Sequence, residues 1–390
     1  MKRLAIIGAG HLARTYAERC RELGIESHCF AWADGALARD AADVFHDVSV
    51  TEVDRIADAC RELGVDGVVA TTELTVYPAA YVAARIGTPG IDPEVAAVIT
   101  DKFRNRQATR HVEGLRHPAY ALFDEGDPGC LDAVSFPAVV KPTSEGGKRG
   151  VTVVHDRGGL EEALAYARRE KKEASGIVVE SFIPEGVECS VESISVGGET
   201  RVVQVTEKWS SGAPHCVELA HHQPADLPAD VRRKVEDVVS RAVTAVGVSD
   251  GPCHTEVKIV DGEVWLVEFN ARPGGGGISY PLTELSTGYP YITAIIRCAM
   301  GELELPDPRS FERNYAGICF VVEQTSWLKP VFDSCAGEPW CYERHQVSAS
   351  IETLCHNGIF GTNYFIYFDR KRRPDFVMEF RNRETDDAHD

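Results

Sequence analysis

The chain has 390 residues, of which 44% are apolar and 26% charged, so it is long enough for two or three domains with separate cores. Its 41 basic and 60 acidic residues leave a net charge of −19, which argues against nucleic acid or an anionic membrane as a partner. A site for a polyphosphate must therefore be locally basic.

The twelve cysteines contain no CxxC pair and no zinc-finger spacing with histidine, so we expect reduced and mostly buried thiols. The opening apolar run, Leu4 to Ile7, is too short for the core of a signal peptide. No apolar stretch approaches the length of about 18 residues that a membrane span needs. These features predict a cytoplasmic protein without a membrane partner.

The first hundred residues alternate between strand-like and helix-like patterns, which predicts a βαβ domain over 1–100. A strand over 3–8 is followed by the turn GAGH, a helix over 12–23 and a strand over 27–32. Thr88-Pro89-Gly90 marks the end of this alternation. Its later elements are a helix near 51–63, a strand at 67–70 and a helix near 75–86.

The middle of the chain predicts α+β structure with antiparallel pairs, forming a domain over 101–300. Its strands are predicted at 137–142, 150–155, 176–182, 187–196, 201–208, 254–260 and 264–270. Its helices are predicted at 101–112, 158–172, 228–246 and 281–300. Two β-like runs, Tyr315–Glu323 and Tyr364–Phe368, predict a C-terminal α+β region over 301–390.

Gly8-Ala9-Gly10 after a strand is typical of a dinucleotide-binding turn, with Ala13 in place of a third glycine and Asp34 as a ribose acid. A nicotinamide-dependent oxidoreductase is therefore one alternative. The other is a tight βα turn that binds no nucleotide. We favour the second, because the middle domain offers a better site for ATP.

Glu256 and Glu268 lie in two β-like runs, and Asn270 shares a strand face with Glu268. Two carboxylates and an amide oxygen suit Mg²⁺, a cation that takes oxygen ligands and accompanies phosphates; Mn²⁺ is possible. Arg272, two residues further, could stabilise negative charge on a transferring phosphoryl group.

The register of this hairpin tests the metal site. A two-residue loop would place Glu256 opposite Val267 and aim the carboxylates at opposite faces. A bulged three-residue loop over 261–263 would place Glu256 opposite Glu268. We therefore predict the three-residue loop.

The phosphate-binding side should be basic and rich in glycine. Lys141 ends a strand and precedes a loop of small and basic residues, and Lys102 begins a helix. The loop residues expected to hold phosphate are Ser144, Gly146, Gly147 and Lys148. The backbone of Ser181, Phe182 and Ile183 could contact the edge of adenine, and Glu188 could hold the ribose hydroxyls.

The order of these motifs resembles the ATP-grasp superfamily, and more closely the carboxylate–amine ligases related to biotin carboxylase, in particular the dipeptide-forming L-amino-acid ligases. The matching stretches are DK at 101–102, VVKP at 139–142, SEGGKRGV at 144–151, VVESFIPEGVECSVE at 178–192 and EFNARPGGG at 268–276.

This resemblance implies an ATP-grasp fold with a lid near 135–185. It implies that Lys102 and Lys141 hold ATP phosphates, Glu180 and Glu188 contact adenosine, and Arg272 contacts the acyl phosphate. Lys141 and Arg272 are then the expected catalytic residues. The metal ligands implied are Glu256, Glu268 and Asn270.

A second block, TEKWSSGAPHCVELAHHQPA at 206–225, resembles the amino-acid-ligase branch and places His215, Glu218, His221 and His222 near the substrate. Gly275 and Gly276 are expected to line the same site. Relatives often carry leucine where this chain has Pro273. Structural packing of the histidines, or a zinc site formed by His215, His221, His222 and His254, are the alternatives.

The predicted enzyme uses Mg²⁺ and ATP to convert a carboxylate into an acyl phosphate, which an amine captures as an amide. The alternatives within the superfamily are a carboxylase or a purine-pathway ligase, and a nucleotide sensor without catalysis is a further one. The expected partners are small carboxylate and amine substrates, with a homodimer possible.

Overall fold

The computed structural model of the protein describes residues 1–127, 129–146, 149–171, 175–212, 216–354 and 361–380. Within these residues the strands form three sheets. The first is a four-stranded parallel sheet in the order β3-β2-β1-β4. Its strands are β1 (Arg3–Ile7), β2 (Glu26–Ala31), β3 (Val44–Asp47) and β4 (Gly67–Ala70).

Three helices cover this parallel sheet: α1 (His11–Leu23), α2 (Val53–Leu63) and α3 (Val76–Ile86). Each ends at a glycine in the left-handed region, where a residue without a Cβ carries no steric penalty. The apolar spacing of α2 places Ile56, Ala57 and Cys60 on one buried face. The predicted βα alternation is thus present, with an additional strand, β3, that the pattern did not indicate.

A nine-stranded sheet forms the centre of the molecule, in the order β16-β17-β15-β12-β11-β10-β13-β14-β5. Its strands are β5 (Leu115–Arg116), β10 (Val187–Val196), β11 (Glu199–Ser210), β12 (Glu218–Gln223), β13 (Gly251–Val260), β14 (Glu263–Asn270), β15 (Tyr315–Val321), β16 (Cys341–His345) and β17 (Asn363–Asp369). The two β-like runs of the C-terminal region therefore extend the central sheet through the β12–β15 pair.

Helix α7 (Ala229–Val246) packs on this sheet through valines and alanines that recur every three or four residues. Burial of each such valine contributes roughly 1.5–3 kcal/mol, so this face fixes the helix on the sheet, mainly on β11 and also on β10 and β14. The strands that carry the acids of the candidate site are thereby held by a core on the opposite face.

The third sheet is antiparallel, in the order β6-β9-β7-β8, and helix α6 (Leu160–Glu170) packs against it. Its strands are β6 (Tyr120–Leu122), β7 (Ala138–Pro142), β8 (Thr152–Val154) and β9 (Ile177–Ser181). Three of its strands, β7, β8 and β9, lie in the segment near 135–185 that we predicted as the lid. The remaining helices are α4 (Pro93–Ile99), α5 (Lys102–Thr109), α8 (Glu284–Thr287), α9 (Tyr291–Ala299) and α10 (Lys329–Ser334).

The single helix predicted over 281–300 is wrong, because the chain forms a π-helix over Ile278–Thr283 and two separate α-helices after it. Helix α8 ends at Gly288, whose φ of 66° is left-handed, and Pro290 precedes the first residue of α9. Glycine and proline so close together end a helix, and this signal outweighs the apolar periodicity on either side.

The hairpin of β13 and β14 has the predicted pairing but not the predicted loop. Val260 pairs with Glu263, so the turn contains only Asp261 and Gly262, with φ of 50° and 73°. Two residues of positive φ form the turn that best matches the twist of paired strands. The predicted three-residue loop is therefore wrong.

Glu256 nevertheless lies opposite Glu268, as predicted. The ladder steps from the Val257–Leu266 pair to the Glu256–Glu268 pair, which leaves Val267 as an extra residue in β14. This β-bulge supplies the shift that we had assigned to the loop.

The eleven cysteines that the structure describes are all free thiols, and most of them are buried. In the described parts of the chain, no helix combines the length and apolarity that crossing a membrane requires.

Candidate active site

The two acidic strands place their carboxylates beside lysines that come from other elements. Lys102, the first residue of α5, is buried, and its Nζ lies 3.1 Å from Oε1 of Glu268. The same amine donates to the carbonyl of Glu145 over 2.6 Å. Burial would lower the pKa of Lys102, but Glu268 and Glu73 outweigh this effect and raise it, so the lysine keeps its charge. Lys102, which we predicted to bind phosphate, thus contacts Glu268, which we predicted to bind the metal ion.

Asn270 supports an oxygen-ligand site on this face. Its side chain is buried, and Oδ1 accepts no hydrogen bond from any group in the described part of the chain. A buried amide oxygen without a donor is costly unless a bound species satisfies it. Together with Glu256 and Glu268 it offers the hard oxygen ligands that Mg²⁺ prefers.

The protein supplies only part of a coordination sphere here. Within the described ranges, no three His, Cys, Asp or Glu side chains are grouped so as to hold a metal ion. Two carboxylates and an amide fit Mg²⁺ that takes its other ligands from phosphates and water, as this ion usually does.

Lys141 on β7 lies in a second buried charged group. Its Nζ is 2.6 Å from Oε2 of Glu180, and Arg106 donates to both oxygens of the same carboxylate over 2.7 and 3.0 Å. Burial alone would raise the pKa of Glu180, but Arg106 and Lys141 hold it at about 2. Burial lowers the pKa of Lys141 despite Glu180. Glu180 is therefore the counter-ion of two cations, and this position explains its burial without a nucleotide.

The stretch expected to contact adenine is partly engaged within the protein. The amides of Ser181 and Phe182 donate to the carbonyls of Ala119 and Pro137, each over 2.8 Å. These two amides cannot also bind a base. The amide of Ile183 is therefore the candidate donor from this stretch.

Lys208 on β11 was not predicted, although it lies at the centre of three predicted residues. Its Nζ is 3.2 Å from Glu188, 2.9 Å from Glu218 and 3.1 Å from Glu256. Burial would lower the pKa of Lys208, but the three carboxylates raise it well above its ordinary value. One buried ammonium thus joins the predicted ribose acid, a metal acid and a substrate acid.

A chain of polar contacts runs from Glu256 to the glycine segment 273–277. Nε2 of His254 is 3.3 Å from Glu256, and Nδ1 of His254 contacts Glu192. Burial would lower the pKa of His254, but Glu192 and Glu256 outweigh it and raise this pKa to about 9. Glu192 in turn accepts from the amide of Gly274 over 3.0 Å and from the hydroxyl of Ser279 over 2.5 Å.

The same segment is held from the other side by the histidine block. Nδ1 of His221 lies 2.9 Å from the carbonyl of Gly276, and its Nε2 lies 3.1 Å from Glu218. Gly276 has a φ of 61°, and the carbonyl of Gly275 accepts from the amide of Ile278 over 3.0 Å. His221 therefore acts on the glycine segment through the backbone.

Arg272 and Glu73 complete the described surroundings of the acids. Nη1 of Arg272 donates to the carbonyl of Pro273 over 2.8 Å. Glu73 comes from the N-terminal sheet domain, and its Oε1 lies 3.7 Å from Nζ of Lys102. Burial and the neighbouring Glu268 raise the pKa of Glu73, although Lys102 and Arg272 lower it.

Glu73 also borders the glycine loop. A Cβ on Gly146 would lie 2.1 Å from Oε2 of Glu73, so a larger residue at this position would displace the carboxylate. Ser144 in the same loop is half-buried, and its hydroxyl lies 3.4 Å from that of Thr143. Gly147, Lys148 and His215 lie outside the described residues.

The described histidines of the proposed zinc set do not converge. His221 and His222 are adjacent on β12 and therefore point to opposite faces of the sheet. His222 contacts the hydroxyl of Tyr367 over 3.1 Å, whereas His254 contacts Glu192 and Glu256. These contacts favour structural and positioning roles.

Two of the residues that were missed carried a weak signal. Arg106 follows Lys102 by four positions on a helix, the spacing that places two side chains on one face. Lys208 lies within the block 206–225 that resembles the amino-acid-ligase branch, and acids that face one another inside a protein require a cation. No sequence signal connects Glu73 to the site, because this residue lies in the N-terminal domain, which has a separate βα pattern.

The family model described as "ATP-grasp domain" matches residues 134–280. The chain carries an ATP-grasp domain, and its fold is that of the ATP-grasp ligases, the ADP-forming enzymes that make C–N bonds. Among solved structures, the L-amino acid ligase from Bacillus licheniformis resembles it over almost the whole length. That comparison has a TM-score of 0.77 and 25% identity, covering 99% of this chain and 97% of the ligase.

Two curated relatives carry names that differ from that of the L-amino acid ligase. The chain is 27% identical over 262 residues to the D-alanine--D-alanine ligase of Bordetella petrii, covering 64% of this chain and 74% of that ligase. It is 24% identical over 263 residues to the carbamoyl phosphate synthase large chain of Halomonas eurihalina, covering 66% of this chain. The chain spans only 24% of the length of that synthase. The resemblance to the amino-acid-ligase branch is thus confirmed, while substrates differ among the relatives.

Proposed function

We propose that the protein is an ATP- and Mg²⁺-dependent carboxylate–amine ligase that acts on an amino acid and releases ADP and phosphate. The observation that carries this proposal is the contact of Lys102 with Glu268, because it brings a phosphate-binding cation to a metal-binding acid. The likeness to an L-amino acid ligase over the whole chain supports an amino acid as substrate.

The reaction has two displacements. An oxygen of the carboxylate substrate attacks the γ-phosphorus of ATP, the bond from that phosphorus to the bridging oxygen breaks, and ADP leaves. The amine then attacks the acyl carbon, the bond from this carbon to the phosphate oxygen breaks, and the nitrogen loses a proton. The products are the amide, ADP and inorganic phosphate.

The residues of the chain bind and orient the reactants. Lys102 and Lys141 would hold the phosphates, and phosphoryl transfer depends mainly on such positioning and charge neutralisation. Bound at Glu256, Glu268 and Asn270, Mg²⁺ would neutralise charge on the phosphate oxygens. Arg272 follows Asn270 by two residues and would face the acyl phosphate.

The substrate end lies between the histidine block and the glycine segment. Glu218 and His221 contact each other there, and His221 holds the carbonyl of Gly276. Glu218 carries a negative charge that would attract the ammonium group of an amino acid. We also propose a location in the cytoplasm, where ATP and free amino acids are available.

The test is phosphate release from Mg-ATP with pairs of amino acids, with the amide detected by mass. Glu268→Gln should lower the rate by about 100-fold or more, because it removes a ligand from a metal that stabilises the transferring group. The matched control is Glu263→Gln, at the far end of the same strand, where Glu263 contacts Lys234 and Arg116.

Other outcomes would identify the alternatives. Phosphate release that requires bicarbonate and yields no amide would indicate a carboxylase. Binding of a nicotinamide nucleotide without ATP turnover would indicate the oxidoreductase. Binding of ATP without any turnover would indicate a nucleotide sensor.

A further inference from the structure

The hairpin that carries the metal acids contains a conflict that one side chain resolves. With the two-residue turn at Asp261 and Gly262, regular pairing would place Val267 opposite Glu256. The bulge at Val267 restores Glu268 to the position opposite Glu256. The position of the second metal acid therefore depends on this bulge.

A bulge leaves part of the strand ladder without its regular partner, and that backbone group needs another. Nη2 of Arg106 donates to the carbonyl of Val267 over 2.9 Å. The side chain of Arg106 is fully buried on α5, whereas Val267 is half-buried, so the contact lies at the edge of the core. The residue that donates to this carbonyl, Arg106, lies 161 residues before Val267 in the sequence.

The same guanidinium also holds Glu180 with two hydrogen bonds, and Glu180 contacts Lys141. One side chain thus contacts the backbone next to a metal acid and, through a single carboxylate, a phosphate lysine. Only a guanidinium can do so, because its planar fork presents five donors in fixed directions, whereas an ammonium is a compact point charge.

We propose that Arg106 is a positioning residue that fixes the bulge at Val267, and with it the direction of Glu268, while it holds Glu180 against Lys141. This inference rests on the proposed function, because it assigns a role in Mg²⁺ and nucleotide binding. The two contacts of Arg106 should have separate effects. The contact with Val267 affects the affinity for Mg²⁺, and the contact with Glu180 affects the position of Lys141.

The experiment is calorimetric titration of ADP at a series of Mg²⁺ concentrations, which needs no turnover. Arg106→Lys keeps a positive charge beside Glu180, but an ammonium cannot also donate a hydrogen bond to the carbonyl of Val267. The Mg²⁺ concentration for half-maximal ADP binding should rise about 10-fold or more, the usual effect of losing a group that orients a metal ligand. The matched control, Arg104→Lys, changes an exposed arginine of the same helix and should leave this concentration unchanged.

Glu180→Gln separates the two effects. It keeps the contact of Arg106 with Val267 but removes the negative charge beside Lys141. We expect weaker ADP binding at saturating Mg²⁺, with a half-maximal Mg²⁺ concentration within about twofold of the wild-type value. Equal Mg²⁺ dependence in Arg106→Lys and Arg104→Lys would overturn the proposal.

Two further results keep the interpretation clear. If the wild-type protein binds ADP without any dependence on Mg²⁺, the proposed function fails, independently of Arg106. If Arg106→Lys does not fold, Arg106→Gln combined with Glu180→Gln replaces the buried ion pair by two amides. Compared with Glu180→Gln alone, this double variant should need about 10-fold more Mg²⁺, and an equal requirement would refute the role of Arg106.

Discussion

Lys102, Lys141 and Lys208 are buried lysines of the candidate site, and each lies within 3.2 Å of at least one glutamate. A buried charge that loses its partner costs about 3–5 kcal/mol, so these contacts maintain the site before any nucleotide binds. They also explain how a chain with a net charge of −19 can form a local site for polyphosphate. Phosphate oxygens would compete with the glutamates for the same cations.

The pH dependence of stability should report on Glu180. Its pKa of about 2 lies below the ordinary value of 4.5, so its charged form stabilises the fold above pH 4.5, and this contribution is lost as the pH falls toward 2. The lost contribution between pH 6 and pH 3 is on the order of 2 kcal/mol. The difference in the free energy of unfolding between the wild type and Glu180→Gln should therefore decrease by that amount from pH 6 to pH 3. Urea unfolding at both pH values measures this difference.

Glu185 provides the control for this measurement. It is exposed and lies five residues away, so Glu185→Gln should change the free energy of unfolding by no more than about 0.5 kcal/mol at either pH. A gap between wild type and Glu180→Gln that stays constant from pH 6 to pH 3 would contradict the charged pairing of Glu180.

At the scale of elements, the glycine segment shows how a loop is fixed by strands on two sides. Glu192 on β10 and His221 on β12 contact its backbone, and His254 on β13 supports Glu192. The segment therefore needs backbone groups that approach these side chains closely. This requirement explains glycine at particular positions better than general loop flexibility does.

Gly274→Ala should test this arrangement. The added Cβ would lie 2.6 Å from Nδ1 of His254 and 2.7 Å from Oε1 of Glu192, both of them buried. Overpacking of this kind costs about 1–3 kcal/mol. We expect this loss in the free energy of unfolding, together with weaker Mg²⁺-dependent ADP binding, because His254 also contacts Glu256.

Gly275→Ala is the matched variant for the stability measurement. A Cβ at this position meets no atom within 4 Å, so the free energy of unfolding should change by less than about 1 kcal/mol. Equal losses in the two variants would show that the close approach at Gly274 is not the cause.

At the scale of the whole molecule, the three regions expected from sequence share structural elements. Strands β15 to β17 continue the central sheet, and Glu73 of the first region contacts Lys102 of the second. Arg19 on α1 makes a further connection, with hydrogen bonds to Glu284 over 2.9 and 3.3 Å and to Thr293 over 2.8 Å.

Arg19→Ala should therefore destabilise the protein. The side chain is only 14% exposed, and its loss leaves a half-buried carboxylate without this partner. Hydrogen bonds to charged groups contribute about 1.5–3 kcal/mol, and we expect a decrease in that range in the free energy of unfolding. The measurement is urea denaturation followed by tryptophan fluorescence.

Arg14 on the same helix is the control. Its partner, Glu18, lies one turn away on α1, and the two side chains are 60% and 47% exposed. Arg14→Ala should cost no more than about 0.5 kcal/mol. A similar loss in both variants would mean that Arg19 does not connect the two regions.

The sequence by itself determined the local features of this protein. The alternation of Glu268 and Asn270 along a strand follows from a period of two residues, and the lysines at 102 and 141 and the glycine loop are short local motifs. The order of these motifs was sufficient to indicate the ATP-grasp fold. Short periods describe neighbours in the chain, and these motifs consist of such neighbours.

Only the tertiary structure decided which charges meet. Arg106 contacts Glu180 and Val267, Lys208 joins acids from three other strands, and Glu73 comes from the N-terminal domain. These partners are separated by 10 residues, between Lys208 and Glu218, up to 161 residues, between Arg106 and Val267. No local pattern relates such positions, because their proximity results from sheet order and from a bulge that the turn alone does not specify.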